Sequence, residues 1–589
     1  MQSLAQTASI SKRKQACNSC RQRKKRCDAE RPSCSLCRKW GIRCEYSVPK
    51  LRDSVYRPSI QTVEALQSTQ SSFTPDLNLD GDLDFLRYPG MNFDFPGSAQ
   101  SQNVTQLTQY PNPSSGSDPV PPLNGINFET DLNVPAGLPS DEVLLELVDL
   151  FFLHLYDTLP CFHKATVVEN TKNQYLQIEA PVLLYAMCAL AARFHPDSSI
   201  RDLQNDWYEQ AKLLYELLPR DPHPALRAFQ AALCLTVHST AKGDFSVGWL
   251  ILGKAWRQAC ALGLNHMDSD REISIELHPA PKTAFEKEEY RRTLWMLFVT
   301  DREGSWPTGW PHAIDDRQFK VDIPVAEEQF QKMNSETADT ATKPISFTRN
   351  LNTLIAASPA AASPLNMFHY IAVAHVLLGR VTEQIHSIHD SPTDPEYTKE
   401  CNSLDSSIIK FRMSLPRPIW SVFEASTEIQ VHVLWLHLTL NTMSILLHYR
   451  LVDCTDEKEA NEHFARAVVT AKNTVNIVKD ASRVSTNLLV DFRIQSSLYI
   501  ATTVLVIHWR LSGDDSIQEG IDLIGLIFDR VYEIWVFPGL KYKLALKHDL
   551  ERSMESILSL RDRGFKGLLA DCTKWKFVQE YVAEHGLAI

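Results

Sequence analysis

Among the 589 residues no apolar run is long enough to cross a bilayer: the longest, around Leu498–Trp509, reaches about a dozen of the roughly 20 residues required. The opening residues, MQSLAQTASISKRK, lack the apolar stretch of a secretory signal. Catalytic signatures are missing as well, with no HExxH, GxSxG or GxGxxG. The nearest approach to a phosphate loop, GWLILGKA at residues 248–255, ends in Ala255 where Ser or Thr would hold Mg²⁺. Its Trp-Leu-Ile-Leu interior suits a helix. The 19 histidines are dispersed, and only His312 lies with acids, Asp315 and Asp316, beside a Pro/Gly loop. These absences exclude a membrane bundle and the familiar hydrolase and nucleotide-dependent enzymes. An intracellular protein with no catalytic residues is expected.

The composition, 44% apolar, 22% charged and 9% aromatic, is ordinary for a globular chain, and the length calls for more than one core. The net charge of −11 conceals an asymmetry: residues 1–50 carry +10 and the remainder −21. A basic head on an acidic body points to a polyanionic partner for the head alone. The 13 cysteines divide at the same place, six of them between Cys17 and Cys44. Cys161, Cys188, Cys234, Cys260, Cys401, Cys454 and Cys572 are scattered, as small buried apolar residues would be.

The six read Cys17-x2-Cys20-x6-Cys27-x6-Cys34-x2-Cys37-x6-Cys44, one C-x2-C-x6-C unit written twice. Zinc takes four tetrahedral thiolates, and C-x2-C brings two sulfurs to one ion from a single turn. Six sulfurs serve two zinc ions only if two are shared, and the repeat nominates Cys17 and Cys34 as bridges. One ion then sees Cys17, Cys20, Cys27 and Cys34, and the other Cys34, Cys37, Cys44 and Cys17. A three-disulfide knot is the alternative, suited to a secreted mini-domain rather than to this Arg/Lys-rich segment. So short a segment cannot build a core and folds only with its metal.

This segment resembles the fungal zinc binuclear cluster, Zn(2)-C6, including the basic run Arg21-Gln22-Arg23-Lys24-Lys25-Arg26 after the second cysteine and Pro32 in the linking loop. The resemblance implies two Zn(II) ions and a short helix after Cys20 presented to a CGG triplet in the major groove of double-stranded DNA. Lys24 falls where the family contacts bases, with Arg23 beside it; Lys and Arg both donate to guanine O6 and N7. Arg21, Lys25, Arg26, Arg38, Lys39 and Arg43 are assigned mainly to the phosphate backbone. Lys12-Arg13-Lys14 and Arg23–Arg26 also suit nuclear import.

Residues 45–138 hold 11 of the 32 prolines, no cysteine, and no lysine after Lys50. That composition marks a disordered linker. Within it, Phe73–Phe95 alternates acids (Asp76, Asp80, Asp82, Asp84, Asp94) with Leu and Phe, the pattern of an activation segment that would engage coactivators. Arg57-Pro58 interrupts any coiled coil, and Ile60, Val63 and Leu66 supply too few heptad positions, so the oligomeric state stays unassigned. The expected organisation is a disordered basic tail (1–16), the zinc cluster (17–44), this linker, and an all-helical regulatory domain (139–589).

Ser140 is a suitable N-cap, with Asp141 and Glu142 following, and Glu142–Asp157 shows only a narrow polar stripe. Further helices are expected at Pro181–Phe194, Ala225–Val237, Phe245–Leu264, Glu286–Arg302, Thr427–Tyr449, Glu462–Lys479 and Ser497–Trp509, the last despite the β-branched run Ile500–Ile507. Residues 140–450 resemble the fungal-specific transcription factor domain through Trp249–Leu264, Glu289–Arg302, Gly309-Trp310-Pro311, Ile323-Pro324 and Leu434–Arg450. The family usually has Arg where this chain has Trp310. Gly253, Ala255, Ala259 and Gly263 are expected to let one helix pack closely. Arg291, Arg292, Asp301 and Arg302 should form interhelical ion pairs, and Trp295 should lie in the core. The resulting expectation is a nuclear transcription factor of a fungal metabolic or secondary-metabolite pathway, whose helical body takes a small-molecule effector. The rival is a zinc-stabilised nuclear scaffold that binds nucleic acid without sequence preference.

Overall fold

The computed structural model describes residues 17, 19–20, 23, 25, 27–30, 32–42, 44, 137–269, 281, 283–333, 344–357, 365–454, 456–562 and 576–586. The chain divides into two compact units, Met1–Pro122 and Leu123–Ile589. The basic tail 1–16 and nearly all of the linker 45–138, including Phe73–Phe95 and the interrupted heptads, lie outside the described residues.

In the first unit the helix α1 (Ser35–Lys39) starts at Cys34, whose sulfur accepts the N–H of Cys37 as a cap. The second unit opens with α2 (Asp141–His154), α3 (Lys164–Lys172), α4 (Tyr175–Glu179), α5 (Pro181–Ala191), α6 (Ser198–Asp202), α7 (Gln204–Leu217), α8 (Ala225–Lys242) and α9 (Phe245–Ala261). It continues through α10 (Ala284–Thr308), α11 (Glu327–Lys332), α12 (Leu351–Ala356), α13 (Met367–Ile385), α14 (Pro395–Ser414) and α15 (Gln430–Leu451). The last are α16 (Glu457–Val484), α17 (Gln495–Ser512), α18 (Gln518–Tyr532), α19 (Val536–Glu551), α20 (Met554–Asp562) and α21 (Lys576–Glu584). Among the described residues there is no strand, only a single antiparallel bridge between Ile323 and Ile345.

The eight expected helices are all present, and Ile500–Ile507 is buried inside α17. Two local expectations need correction. Leu144, Leu147, Val148 and Phe151 bury one face of α2, while Leu153 is 72% exposed, so this helix is covered on one side rather than most. Ser140 stands at its N-cap but makes no side-chain cap bond.

Close packing of α9 on α8 occurs at Gly248, where a Cβ would lie 3.2 Å from the Thr236 carbonyl oxygen. Gly253 faces only the Arg257 guanidinium of its own helix, and Gly263, at φ +73, turns the chain out of α9. Ala255 and Ala259 are fully buried as expected.

The core is built around two nearly enclosed helices. In α8 all residues but Thr240 and Lys242 are buried. The stretch Thr427–Leu451, spanning α15, is long and apolar enough to cross a membrane, which the sequence reading did not pick out. Most of it is buried among α13, α14, α16 and α17, the position of a core helix.

Candidate metal centre and nucleic-acid interface

The two halves of the cysteine segment build the same frame 17 residues apart. Cys20 and Cys37 donate their N–H groups to the sulfurs of Cys17 and Cys34, both at 3.4 Å. Cys17 and Cys34 donate theirs to Cys27 Sγ at 3.5 Å and Cys44 Sγ at 3.3 Å. Each half then closes with matching backbone bonds, Arg23 to Ser19 and Lys25 to Cys20, against Trp40 to Leu36 and Ile42 to Cys37. Ser19 and Cys20 are helical, as α1 is in the second half.

This frame gathers the sulfurs into two groups of four, Cys17/Cys20/Cys27/Cys34 and Cys17/Cys34/Cys37/Cys44, each within 4.8 Å. Cys17 and Cys34 belong to both, and their sulfurs are 3.7 Å apart. Cys17–Cys37 and Cys20–Cys34 separations are 3.6 and 3.7 Å. A tetrahedron of thiolates at the usual ~2.3 Å Zn–S distance has an edge of about 3.8 Å, whereas a disulfide would need about 2.05 Å. The donor set therefore fits two zinc ions, and all described cysteines are free thiols.

Backbone N–H groups favour the thiolate form. The amide of Cys17 brings the Cys27 thiol down to about 7, and that of Cys34 does the same for Cys44. Desolvation pushes Cys37 up to about 12 and Cys20 higher still, the cost that a bound dication offsets.

Of the expected DNA-contacting residues, Arg21, Lys24, Arg26 and Arg43 lie outside the described residues. Arg23, Lys25, Arg38 and Lys39 are exposed. Arg23 spreads its guanidinium over the Trp40 ring at 5.7 Å, while Trp40 itself is 47% exposed. Arg38 bonds Glu30 at 3.2 Å and the Ser33 carbonyl at 2.9 Å, which ties it to the linking loop. Sequence reasoning overlooked Asp28, whose carboxylate accepts the Ser35 N–H at 3.2 Å and so joins the loop to the start of α1. An acid one residue past the third cysteine was the available signal.

In the helical unit the enzyme-like features dissolve into structure. Residues 248–255 lie within continuous α9. His312 faces Glu383 at 3.4 Å, Asp315 holds Arg317, and Asp316 holds Arg349 and Arg380, so the three do not converge. The charged residues of α10 do pair, but with loops and short elements more than with long helices. Arg291 grips Asp268 at 2.7 and 2.8 Å, and Arg292 reaches Glu327 at 2.6 Å. Asp301 and Arg302 pair at 2.5 Å; Asp301 also accepts the N–H groups of Ala313 and Ile314. Gly379 makes room for Arg302, since a Cβ there would come within 2.5 Å of its Nε. Trp295 is fully buried and donates to the Asp322 carbonyl at 2.9 Å. Trp310 stacks obliquely on Trp249, with ring centres 5.5 Å apart.

The scattered cysteines agree with a structural role: Cys161, Cys188, Cys234 and Cys401 are buried, Cys260 and Cys454 partly so, and Cys572 lies outside the described residues.

Comparison with known proteins aligns with both units. The fungal Zn(2)-Cys(6) binuclear cluster domain matches residues 15–53, and the fungal specific transcription factor domain matches residues 148–407. Among curated relatives, the pigment biosynthesis transcriptional activator pigB of Monascus ruber is 23% identical over 332 residues, 54% of this chain and 56% of that protein. The citrinin biosynthesis transcriptional activator ctnR of Monascus purpureus is 23% identical over 336 residues, 54% and 57% of the two chains. The tropolone cluster transcription factor tropK of Talaromyces stipitatus is 25% identical over 338 residues, 54% and 59%. The matched segment thus spans little more than half the length of these relatives. No solved structure matches the chain. A cluster domain of this type carries two zinc ions, and the family is one of transcription factors, not enzymes. With the binuclear frame at one end and the fungal specific transcription factor domain matched behind it over residues 148–407, the chain belongs to the fungal Zn(2)-C6 transcription factors.

Proposed function

We propose that this chain is a nuclear regulator of RNA polymerase II transcription that reads CGG-type elements in double-stranded DNA. The observation that carries the reading is the pair of four-sulfur groups sharing Cys17 and Cys34, set in a segment whose first 50 residues carry +10. Cys17, Cys20, Cys27 and Cys34 would hold one zinc and Cys34, Cys37, Cys44 and Cys17 the other, fixing two turns that have almost no apolar core of their own. Lys24 and Arg23 donate to guanine, and Arg21, Lys25, Arg26, Lys39 and Arg43 neutralise phosphates. Arg38 joins them by exchanging its exposed Glu30 partner for a phosphate, since such surface pairs are weak.

The names of the relatives, activators of pigment and citrinin biosynthesis and a tropolone cluster factor, support a secondary-metabolite gene cluster as the target. Lys12-Arg13-Lys14 with Arg23–Arg26 supports nuclear import, Phe73–Phe95 recruits coactivators, and the helical unit takes a small-molecule effector that adjusts activity.

Fluorescence polarisation with CGG and permuted duplexes tests this reading. Lys24→Ala should remove about 1–3 kcal/mol of discrimination between the two. A small loss that is equal on both duplexes would instead identify a non-specific scaffold. Occupancy of the tagged protein across its own genome then names the regulated pathway.

A further inference from the structure

The helical unit contains a cavity of about 140 Å³ walled by α8, α9, α10, α15, α17 and α19. An apolar interior cavity of about 150 Å³ takes up benzene, so the size suits a one- or two-ring molecule. Part of the wall is buried and apolar, formed by Leu159, Leu252, Met296 and Val299. The rest includes half-buried aromatic residues, Phe245, Trp249 and Trp310, and the two indoles form a wedge with planes at 54°. Buried apolar side chains on one side and half-buried rings on the other put the cavity within reach of a molecule arriving from solution.

The four charged groups of the wall, two acids and two bases, are all engaged within the protein. Glu303 accepts from His375 at 2.9 Å, Trp435 at 3.1 Å and Trp306 at 3.2 Å. Asp301 is taken by Arg302 and two backbone N–H groups. Arg493 pairs with Asp491, donates to the Asp157 carbonyl at 3.0 Å and covers Trp435 at 4.3 Å. The Lys541 ammonium lies against rings, 4.4 Å from the Phe245 centre and 5.1 Å from that of Tyr542. Hydroxyls of the wall are spent in the same way. Thr236, Thr240 and Thr308 bond carbonyls of their own helices, Ser496 pairs with Tyr542, and Tyr499 donates to Asp549. An ion entering here would give up its water and find every opposite charge already partnered. A neutral ring system gives up little and gains the aromatic wall.

The position of the cavity in the chain adds a second consequence. Its wall draws on α8, α9 and α10, which end at Thr308, and on α15, α17 and α19, which begin at Gln430. A molecule seated among them touches helices from both ends of the unit. Binding should therefore register in the melting of the whole unit.

We propose that this cavity binds a neutral planar aromatic molecule of one or two rings, held against Leu252, Met296 and Val299 and bracketed by Phe245, Trp249 and Trp310. The proposal deepens the reading of the helical unit as the seat of a small-molecule effector and rests on it. Its test uses the zinc-loaded full chain without DNA, so failure here leaves the DNA-binding reading standing, and the reverse also holds.

The probe is 1-naphthalenemethanol, compared with 1-naphthoate and 1-naphthylmethylammonium, and binding is followed by calorimetry. The alcohol should saturate one site, about tenfold or more tighter than either ion, and should raise the melting temperature of the helical unit. Replacing the wedge, Trp249→Ala with Trp310→Ala, should lower its affinity about tenfold or more while the far-ultraviolet helical signal is kept. Tighter binding of either ion would overturn the neutral assignment and leave the effector reading standing. A folded wild-type chain that binds none of the three saturably would overturn the cavity as a ligand site, as would a double variant that binds the alcohol as well as wild type. If the double variant does not fold, Trp310→Ala alone should weaken the alcohol several-fold, and unchanged affinity there overturns the proposal equally.

Discussion

The two units reach a defined structure by opposite means. In residues 17–44 the fully buried apolar groups among the described residues are four cysteines, Cys17, Cys20, Cys34 and Cys37, with Cys27, Leu36 and Cys44 partly covered against them. The helical unit instead shares one continuous apolar core that runs from Leu144 to Leu560. A segment with so little apolar burial relies on metal–sulfur bonds, whereas the larger unit relies on area removed from water. The consequence is a difference in how failure spreads. Losing the metal should abolish one unit and spare the other; losing a core contact should weaken the other and spare the first.

Zinc removal is the sharpest way to expose that difference. A structural zinc contributes on the order of 10 kcal/mol to so small a fold, so a strong chelator should unfold residues 17–44 completely. Duplex binding should disappear while the far-ultraviolet helical signal and its melting temperature stay put. A helical transition that moved with zinc would mean the units are energetically coupled.

The shared sulfurs give a graded version of the same effect. Cys17 stands in both four-sulfur groups and Cys27 in one. Cys17→Ser should cost both zinc ions, and Cys27→Ser should leave one ion bound more tightly than the other. Zinc content by mass spectrometry after dialysis reads this directly, and identical stoichiometry in the two variants would contradict the sharing.

On the other side, the buried Arg227–Glu289 pair links α8 to α10 at 2.5 Å, with Gln230 also bonded to Glu289 at 3.2 Å. Glu289→Ala strands a buried guanidinium and should cost about 3–5 kcal/mol of helical-unit stability with no change in zinc content or duplex binding. Arg227→Met with Glu289→Leu should recover most of that loss. Urea titration of the three proteins checks both statements.

Legibility from sequence follows the same division. The cysteine ladder is readable because spacing alone specifies which sulfurs meet, whatever surrounds them. The helical unit is readable where a helix is strongly apolar, as in α5, α8 and α17, or where apolar residues recur regularly among charges, as in α10 and α16. In α14 the buried residues Tyr397, Cys401, Leu404, Ile408 and Phe411 keep helical spacing, yet the intervening Glu, Lys, Asn and Ser dilute the signal. In α19 the dipeptide Pro538-Gly539 is of a kind that commonly marks turns, and no helix was expected there. The proline instead occupies the first helical turn, where no N–H is needed, and the glycine lies where α19 crosses the end of α18, so a Cβ would run into the Tyr532 backbone. Arg291 and Arg292 of α10 were legible as charges but their partners were not, because Asp268 and Glu327 are brought to them by tertiary contacts.

Acid should separate the units a final time, with the smallest effect. His369 is fully buried in α13, neither ring nitrogen has a hydrogen-bond partner among the described residues, and burial alone lowers it to about 4. Its folded value lies below the unfolded one of about 6.5, so the unfolded chain takes up the proton first. Stability from this residue is therefore complete above pH ~6.5 and declines as pH falls toward 4, by about 2 kcal/mol at pH 5. His448 is also depressed to about 4, but His463 and Arg466 add charge repulsion to its burial, which makes His369 the cleaner probe. His369→Leu should leave stability at pH 7 unchanged or slightly raised, because it removes two unbonded nitrogens, and should flatten the decline between pH 7 and 4. Urea midpoints of the helical transition at a series of pH values measure this, and curves that stay parallel for the two proteins would show that His369 is protonated in the fold. Zinc loss over the same range depends on thiolates in the other unit, so its acid profile should be identical in the variant and the wild type.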